Sequence, residues 1–147
     1  MFKHILLPTD GTAQSDNALT KGLELAKMLG AKVTAVHVEP EFPIVYYSDW
    51  APLDPSLEQQ FKEESKKRAE GILGKATQAA QAAGVACATV YLTSYHTYEG
   101  IIRTAEERGC DLILMASHGR RGLESLLLGS ETRKVLTHSK VPVLVYR

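Results

Sequence analysis

Glycines and a hydroxyl residue in the last third of the chain are spaced as a phosphate-binding turn requires. Gly119 follows an apolar run, and Gly129 with Ser130 opens a helix-like segment. Phosphate oxygens need several N–H donors converging from one side, and glycine lets the backbone approach closely because it has no side chain. The free amides and the dipole at the start of a helix attract the same negative charge. This segment therefore predicts an anion site.

A carboxylate and two hydroxyl groups form a second candidate near the start of the chain. Pro8 and Thr9 precede Asp10, and Thr12 follows it. Asp10 is placed to accept hydrogen bonds from a ribose or to hold a divalent ion through water. Alternatively, it forms an Asx turn that leads into a helix. Both interpretations stay open on the residues alone.

Apolar runs typical of strands recur along the chain and must position these groups. A run of residues 111–116 is almost wholly apolar, as expected of a central strand covered on both faces. The predicted strands are a run that ends at about Leu7, residues 32–38, residues 85–92, residues 111–116, and a last run from Val141 to Tyr146.

Helical periods fill the intervals between the predicted strands. Ser15 and Gly30 are the expected caps of the first helix. The later helices are expected at residues 57–84, around residues 101–109, and at residues 130–139. In the second helix the stripe expected to face the sheet is Leu57, Phe61, Ser65, Arg68, Ile72, Ala76, Ala79 and Ala83.

Strict alternation of strands and helices predicts a single α/β domain over residues 1–147. Right-handed crossovers then give a doubly wound, Rossmann-like parallel sheet with helices on both faces, and we expect the strand order 3-2-1-4-5. In such sheets ligands bind beyond the carboxyl ends of the strands, where the winding direction reverses. The loops that follow the first and fourth strands carry the two candidate sites.

Composition excludes several classes of partner. Seventeen basic residues balance seventeen acidic ones, so no global field favours nucleic acid or an anionic membrane. The apolar run at the N-terminus is too short for a signal peptide, and no segment reaches bilayer-spanning length. We therefore expect a cytoplasmic protein, in which the isolated Cys87 and Cys110 are small buried apolar groups.

Three stretches resemble the universal stress proteins of the nucleotide-binding type. They are "HILLPTDGT", "VTAVHV" and the tail "LILMASHGRRGLESLLLGSETRKVLTHSKVPVLVYR", and together they cover essentially the whole chain. The family's ATP-binding motif is glycine, two residues, glycine, nine residues, then glycine followed by serine or threonine. Gly119, Gly129 and Ser130 match its later parts, whereas Ala116 replaces the first glycine. Because alanine keeps the backbone N–H, we expect this departure to weaken binding without abolishing it.

The resemblance implies an adenine nucleotide, ATP or AMP, usually with Mg²⁺ or Mn²⁺. Asp10 would meet the ribose, and the Val38 backbone would meet the adenine edge. The residues implied around the nucleotide are Pro8, Thr9, Asp10, Val38, Met115, Ala116, Ser117, His118, Gly119, Arg120, Gly129, Ser130 and Glu131.

The favoured function is a nucleotide-binding stress or signalling module in which any ATP hydrolysis is slow and incidental. His118 is the one obvious general base in the glycine loop, and nothing in the sequence shows what would orient it. No catalytic residue and no protein metal site are assigned. One alternative is a family member that acts through protein partners without nucleotide. An adenylylating enzyme on a similar sheet is disfavoured, because the HxGH and SGGxDS signatures are absent.

Two further regions have alternative interpretations. Pro142 removes a ladder donor and so places the last strand at an edge, where an apolar strand attracts another chain. We predict a homodimer through Val141 to Tyr146, as in many family members; the alternative is an edge shielded within the monomer. The aromatic and proline-rich residues 39–56 are expected either to cover the adenine as a lid or to pack on the second helix or a second subunit.

Overall fold

The computed structural model describes residues 1–41, 54–118 and 128–147. Over these ranges strands and helices alternate in the predicted order. The elements are β1 (His4–Pro8), α1 (Ala13–Leu29), β2 (Lys32–Pro40), α2 (Pro55–Ala83), β3 (Cys87–Ser94), α3 (Thr97–Glu107), β4 (Leu112–Ala116), α4 (Ser130–His138) and β5 (Val143–Tyr146).

The strands form one parallel sheet in the order β3-β2-β1-β4-β5, which confirms the predicted fold. Every residue of β4 is buried, as its apolar run predicted. Alternate residues of β1 supply two cores: Ile5 and Leu7 pack with α1 and α2, whereas Leu6 packs with α3 and α4. The winding direction, in which successive strands are added to the sheet, reverses between β1 and β4, and the two candidate loops leave the sheet there.

The N-cap of the first helix lies three residues before the predicted one. Thr12, not Ser15, is the N-cap, and its hydroxyl accepts a hydrogen bond from the Ser15 amide. Ser15 is buried in the first turn, where its own hydroxyl lies 3.2 Å from that of Thr9. The predicted end at Gly30 is confirmed, with φ of 62°.

The predicted inner face of α2 is confirmed at Ser65 and Ala76 but is displaced by about one position over the rest of the helix. Leu57 is 55% exposed, and Arg68 also lies on the outside. The chain here is rich in alanine, so two adjacent stripes look equally apolar and the sequence pattern does not separate them. The residues of α2 that are buried are Ser65, Ala69, Leu73, Ala76 and Ala80.

Two smaller expectations also need correction. The strand β5 starts at Val143, so Pro142 precedes the ladder and contributes only its carbonyl, which accepts a hydrogen bond from Ile113. The edge position of β5 follows from the strand order instead. Cys110 is buried as expected, but Cys87 is only partly buried because it begins the other edge strand, β3.

Candidate functional site

A cavity of about 490 Å³ opens at the carboxyl ends of the strands, beside the point where the winding reverses. Its floor is apolar, and its rim carries the polar groups of several loops and of α4. The residues that line it are Pro8, Thr9, Asp10, Ser15, Val36, Val38, Pro40, Tyr95, His96, Thr97, Ile101, Met115, Ala116, His118, Gly129, Ser130, Glu131, Thr132 and Lys134.

The Asp10 loop forms the wall beside β1. Asp10 Oδ1 accepts hydrogen bonds from the Thr12 amide at 3.0 Å and from the Thr12 hydroxyl at 2.6 Å. This is the Asx turn that the sequence left as one alternative. Since Asp10 also lines the cavity, the turn fixes a carboxylate at its rim.

The first turn of α4 forms the opposite wall. Gly129 is the N-cap residue, and among the described residues no side chain caps this N-terminus. The first intrahelical bond runs from the Arg133 amide to the Gly129 carbonyl, so the amides of residues 130–132 have no intrahelical acceptor. Ser130 and Glu131 both line the cavity. This helix start therefore presents N–H donors and a positive dipole end to the cavity.

Close packing holds the start of α4 against the end of β4. The Gly129 amide donates to the Ser117 carbonyl at 2.8 Å, and the buried Thr132 hydroxyl donates to the Ala116 carbonyl at 3.0 Å. A Cβ atom at Gly129 would lie 3.1 Å from the Ser117 carbonyl oxygen and 3.4 Å from the Cα of His118. Glycine is needed here because two backbone segments approach closely, not because of a positive φ.

Apolar residues that the sequence assigned to the nucleotide form the cavity floor. Val38 is 9% exposed, Met115 6% and Ala116 7%. Ala116 is the last residue of β4 and pairs with Tyr146, so it is in a regular strand conformation. A positive φ, one of the requirements that would exclude alanine, is therefore not needed at this position.

The loop after β4 is described only at its two ends. Ser117 lies behind the cavity wall, where its hydroxyl is 3.0 Å from His118 Nδ1, and His118 itself lines the cavity. Gly119 and Arg120 lie outside the described residues, as do residues 42–53 of the predicted lid.

The wall beside α3 was missed by the sequence analysis. Glu131 accepts a hydrogen bond from the Tyr98 amide at 2.9 Å, so α4 supplies the cap that His96 does not give to α3. Lys134 bonds the other oxygen of Glu131 at 3.0 Å and lies 5.4 Å from the centre of the Tyr98 ring. No glycine or acid marks residues 93–97, so no sequence signal distinguished this loop.

A buried pair of hydrogen-bonded side chains, a histidine and a glutamate, lies directly behind the Asp10 loop. His37 and Glu39 are 2% and 3% exposed, and their side chains are 2.9 Å apart. Glu39 also accepts a hydrogen bond from Arg68 of α2 at 2.8 Å. The spacing His-x-Glu in a strand places both side chains on one face, and this signal was available in the sequence.

The ionisation of Glu39 makes the stability of the fold depend on pH. Burial alone would raise its pKa, but hydrogen bonds from His37 and Arg68 bring the pKa below the ordinary value of 4.5. The carboxylate therefore stabilises the fold above the unfolded-state pKa, and this contribution is lost as the pH falls through the lower folded-state pKa. We expect urea unfolding to show the wild type losing stability relative to Glu39→Gln as the pH drops below 4.5. A difference that stays constant through the acid range contradicts this.

The described residues contain neither a metal-binding cluster nor a membrane-spanning helix. Within residues 1–41, 54–118 and 128–147 there is no group of three or more His, Cys, Asp or Glu side chains arranged to hold a metal ion. No helix in the same ranges is long and apolar enough to cross a membrane.

Comparison with known families decides what kind of domain this is. The model described as the universal stress protein family matches residues 1–147, the whole chain. The chain belongs to the universal stress protein family. Universal stress protein MJ0531 of Methanocaldococcus jannaschii is 33% identical over 147 residues, which cover 100% of this chain and 83% of that protein.

Solved structures of universal stress proteins share the fold. Protein MJ0577 of Methanocaldococcus jannaschii superimposes with a TM-score of 0.83 at 28% identity, covering 99% of this chain and 95% of that one. A universal stress protein in complex with cAMP has a TM-score of 0.73 at 23% identity, covering 99% of this chain and 97% of that one. One from Archaeoglobus fulgidus in complex with dAMP has a TM-score of 0.64 at 17% identity, covering 100% of this chain and 98% of that one.

Proposed function

We propose that this universal stress protein is a nucleotide-binding stress or signalling module whose ligand is ATP or another adenine nucleotide. The observation that carries the proposal is the pairing of two walls across one apolar floor. The Asp10 turn and the α4 start, which lacks a side-chain cap, face the same cavity of about 490 Å³. Relatives of the same fold hold cAMP and dAMP, which have the same chemical parts.

Each part of an adenine nucleotide has a matching surface. The apolar floor of Val38 and Met115 suits the base, and the Val38 backbone is at the edge where the base would lie. Asp10 is placed to accept hydrogen bonds from ribose hydroxyls. The amides that begin at Ser130 and the backbone at Gly129 suit the phosphates. Glu131 would contribute through its amide, since its carboxylate already bonds Tyr98 and Lys134.

A divalent cation is expected to arrive with the phosphates. Magnesium is usually held by phosphate oxygens, water and one or two oxygen side chains. Asp10 and Ser130 supply such oxygens on the cavity wall, so the residues present fit Mg²⁺ or Mn²⁺ bound together with the nucleotide. The ion would neutralise phosphate charge in the cavity.

Binding, not catalysis, is the activity proposed. Phosphoryl transfer needs a positioned nucleophile or water and a base that is itself oriented. His118 Nδ1 lies 3.0 Å from the Ser117 hydroxyl, which holds the ring at the cavity wall. We propose that any ATP hydrolysis is slow and incidental. We also place the protein in the cytoplasm.

A thermal unfolding assay with and without Mg-ATP tests the proposed function. At millimolar nucleotide, a micromolar dissociation constant would stabilise the folded state by about 4 kcal/mol. For a domain of this size that corresponds to a rise of about 10 °C in the melting temperature. Mg²⁺ alone is the control. If neither ATP, AMP nor cAMP raises the melting temperature, the alternative of a partner-binding protein without nucleotide replaces this proposal.

We further propose a homodimer joined along β5. The strand lies at the sheet edge, and its own Leu144 is 41% exposed, while Leu136 of the preceding helix α4 is 42% exposed. An apolar edge strand offers unpaired backbone groups to a second copy. Sedimentation velocity at micromolar concentration should give twice the monomer mass, and Leu144→Lys should shift the species to monomer. A wild-type monomer at that concentration contradicts the dimer.

A further inference from the structure

A chain of buried hydrogen bonds connects α2 to the wall of the candidate site. Arg68 donates to Glu39 Oε1 at 2.8 Å, and Glu39 Oε2 lies 2.9 Å from His37 Nε2. The other ring nitrogen, His37 Nδ1, lies 2.8 Å from the Thr9 carbonyl. The side chains of Glu39, His37 and Thr9 are at least 95% buried, whereas that of Arg68 is partly exposed. The proposed function assigns no role to His37, Glu39 or Arg68.

The acceptors around His37 fix its protons. A carbonyl oxygen only accepts, so Nδ1 must carry a hydrogen toward Thr9. Glu39 is ionised because it accepts a second bond from the guanidinium of Arg68, and an ionised carboxylate also only accepts. Nε2 must therefore carry a hydrogen as well. Both nitrogens of the ring, which stacks 6.4 Å from Tyr91, therefore face oxygen atoms that only accept.

Both backbone groups of Thr9, its amide and its carbonyl, form hydrogen bonds with β2. Its amide donates to the Val36 carbonyl at 2.9 Å, and its carbonyl accepts from His37. Asp10 follows immediately, and it begins the Asx turn at the cavity rim. The Asp10 amide also reaches the Ser15 hydroxyl, but at 3.4 Å. The two shorter bonds to β2, one of them from the His37 side chain, therefore do most to set the direction in which Asp10 leaves the sheet.

We propose that Glu39 and Arg68 hold His37 as a doubly protonated ring whose Nδ1–H positions the Thr9 carbonyl, and with it Asp10, for nucleotide binding. His37, Glu39 and Arg68 are positioning residues in this scheme. None of the three is among the residues that line the cavity, and they act through the backbone at Thr9. The ligand part of this inference rests on the proposed function, whereas the geometry of the turn can be tested without any ligand.

Two amide variants separate positioning from mere stability. In His37→Asn the amide nitrogen takes the place of Nδ1 and keeps the donor to Thr9, whereas in His37→Gln it reaches only the place of Nε2. Both variants lose the charge and the contact with Tyr91. We expect His37→Asn to bind Mg-ATP within about threefold of the wild type and His37→Gln to bind about tenfold more weakly than His37→Asn. Equal affinities in two folded variants overturn the proposal.

Amide hydrogen exchange gives a readout that needs no nucleotide. The Thr12 amide is protected by its bond to Asp10, so we expect it to exchange about tenfold faster in His37→Gln than in His37→Asn. Equal exchange rates overturn the positioning role. If the wild type binds no adenine nucleotide but the exchange rates differ as expected, the proposed function fails while the positioning role of His37 stands.

The protons on His37 are visible by ¹⁵N NMR of the ring. We expect both nitrogens of the wild-type ring to be protonated. In Glu39→Gln we expect a ring protonated at Nδ1 alone, because the amide offers Nε2 no carboxylate. A neutral wild-type ring, or a hydrogen on Nε2 alone, overturns the assignment.

Discussion

A Gly129→Val variant is expected to bind adenine nucleotide at least about a hundredfold more weakly than the wild type, a loss of about 2.7 kcal/mol. The first added carbon would already lie 3.1 Å from the Ser117 carbonyl oxygen, and the two γ-carbons would extend the conflict. Both neighbours, the Ser117 carbonyl oxygen and the His118 Cα, are backbone atoms, which cannot rotate away as the end of a side chain could. The start of α4 must move away from β4, which separates its amides from the rest of the cavity. Isothermal titration with Mg-ATP measures the loss.

A graded series and a distant control make this result specific. Gly129→Ala introduces only the 3.1 Å contact and should weaken binding by about tenfold, between the wild type and the valine variant. Gly74→Val adds the same atoms on α2, where a Cβ meets nothing within 4 Å, and should leave affinity unchanged. Wild-type affinity in a folded Gly129→Val protein would show that the α4 start does not bind the phosphates.

Gly22→Ala is expected to lower the free energy of unfolding by about 2 kcal/mol. Gly22 lies on the buried face of α1, directly against Leu7 of β1. An added Cβ would overlap one methyl group of Leu7 and lie 3.0 Å from the other. Leu7 is 1% exposed, so its side chain has no empty space into which to rotate. Urea unfolding gives the loss directly, and it outweighs the better helix propensity of alanine.

Gly71→Ala is the matched control for this prediction. It makes the same chemical change inside a helix, but a Cβ at Gly71 meets nothing within 4 Å and the position is exposed. Only the propensity effect remains, and we expect a gain of about 0.5 to 1 kcal/mol. If both variants shift stability in the same direction, close packing is not the reason for glycine at position 22.

Strand order and the start of α4 were predictable because each depends on local pattern. The run from Leu112 to Ala116 is apolar because the strand is buried on both faces, and this burial is the same property that places it centrally. Gly129 and Ser130 stand at the start of the last helix, as their positions in the sequence predicted. The first amides of a helix have no intrahelical acceptor, so a glycine there leaves them open to a ligand.

Features that depend on long-range packing were not predictable in the same way. The bond between Glu131 and the Tyr98 amide joins residues 33 positions apart, and no spacing rule connects them. The inner face of α2 was misplaced because its alanines look alike on adjacent stripes, and only the packing of Leu73 and its helix neighbours against α1 and the sheet selects one. The cap of α1 was shifted because Asp10 and Thr12 bond each other before the helix begins.

The bond from the Tyr98 amide to Glu131 makes the two helices at the mouth of the cavity mechanically dependent on each other. Replacing Glu131 by alanine leaves an orphan donor in α3 and frees Lys134 at the same time. Weaker ligand affinity in that variant would therefore reflect the lost connection between α3 and α4 as much as a lost contact with the ligand. Glu131→Gln retains an oxygen that can accept from the Tyr98 amide, so this substitution keeps the hydrogen bond between the two helices.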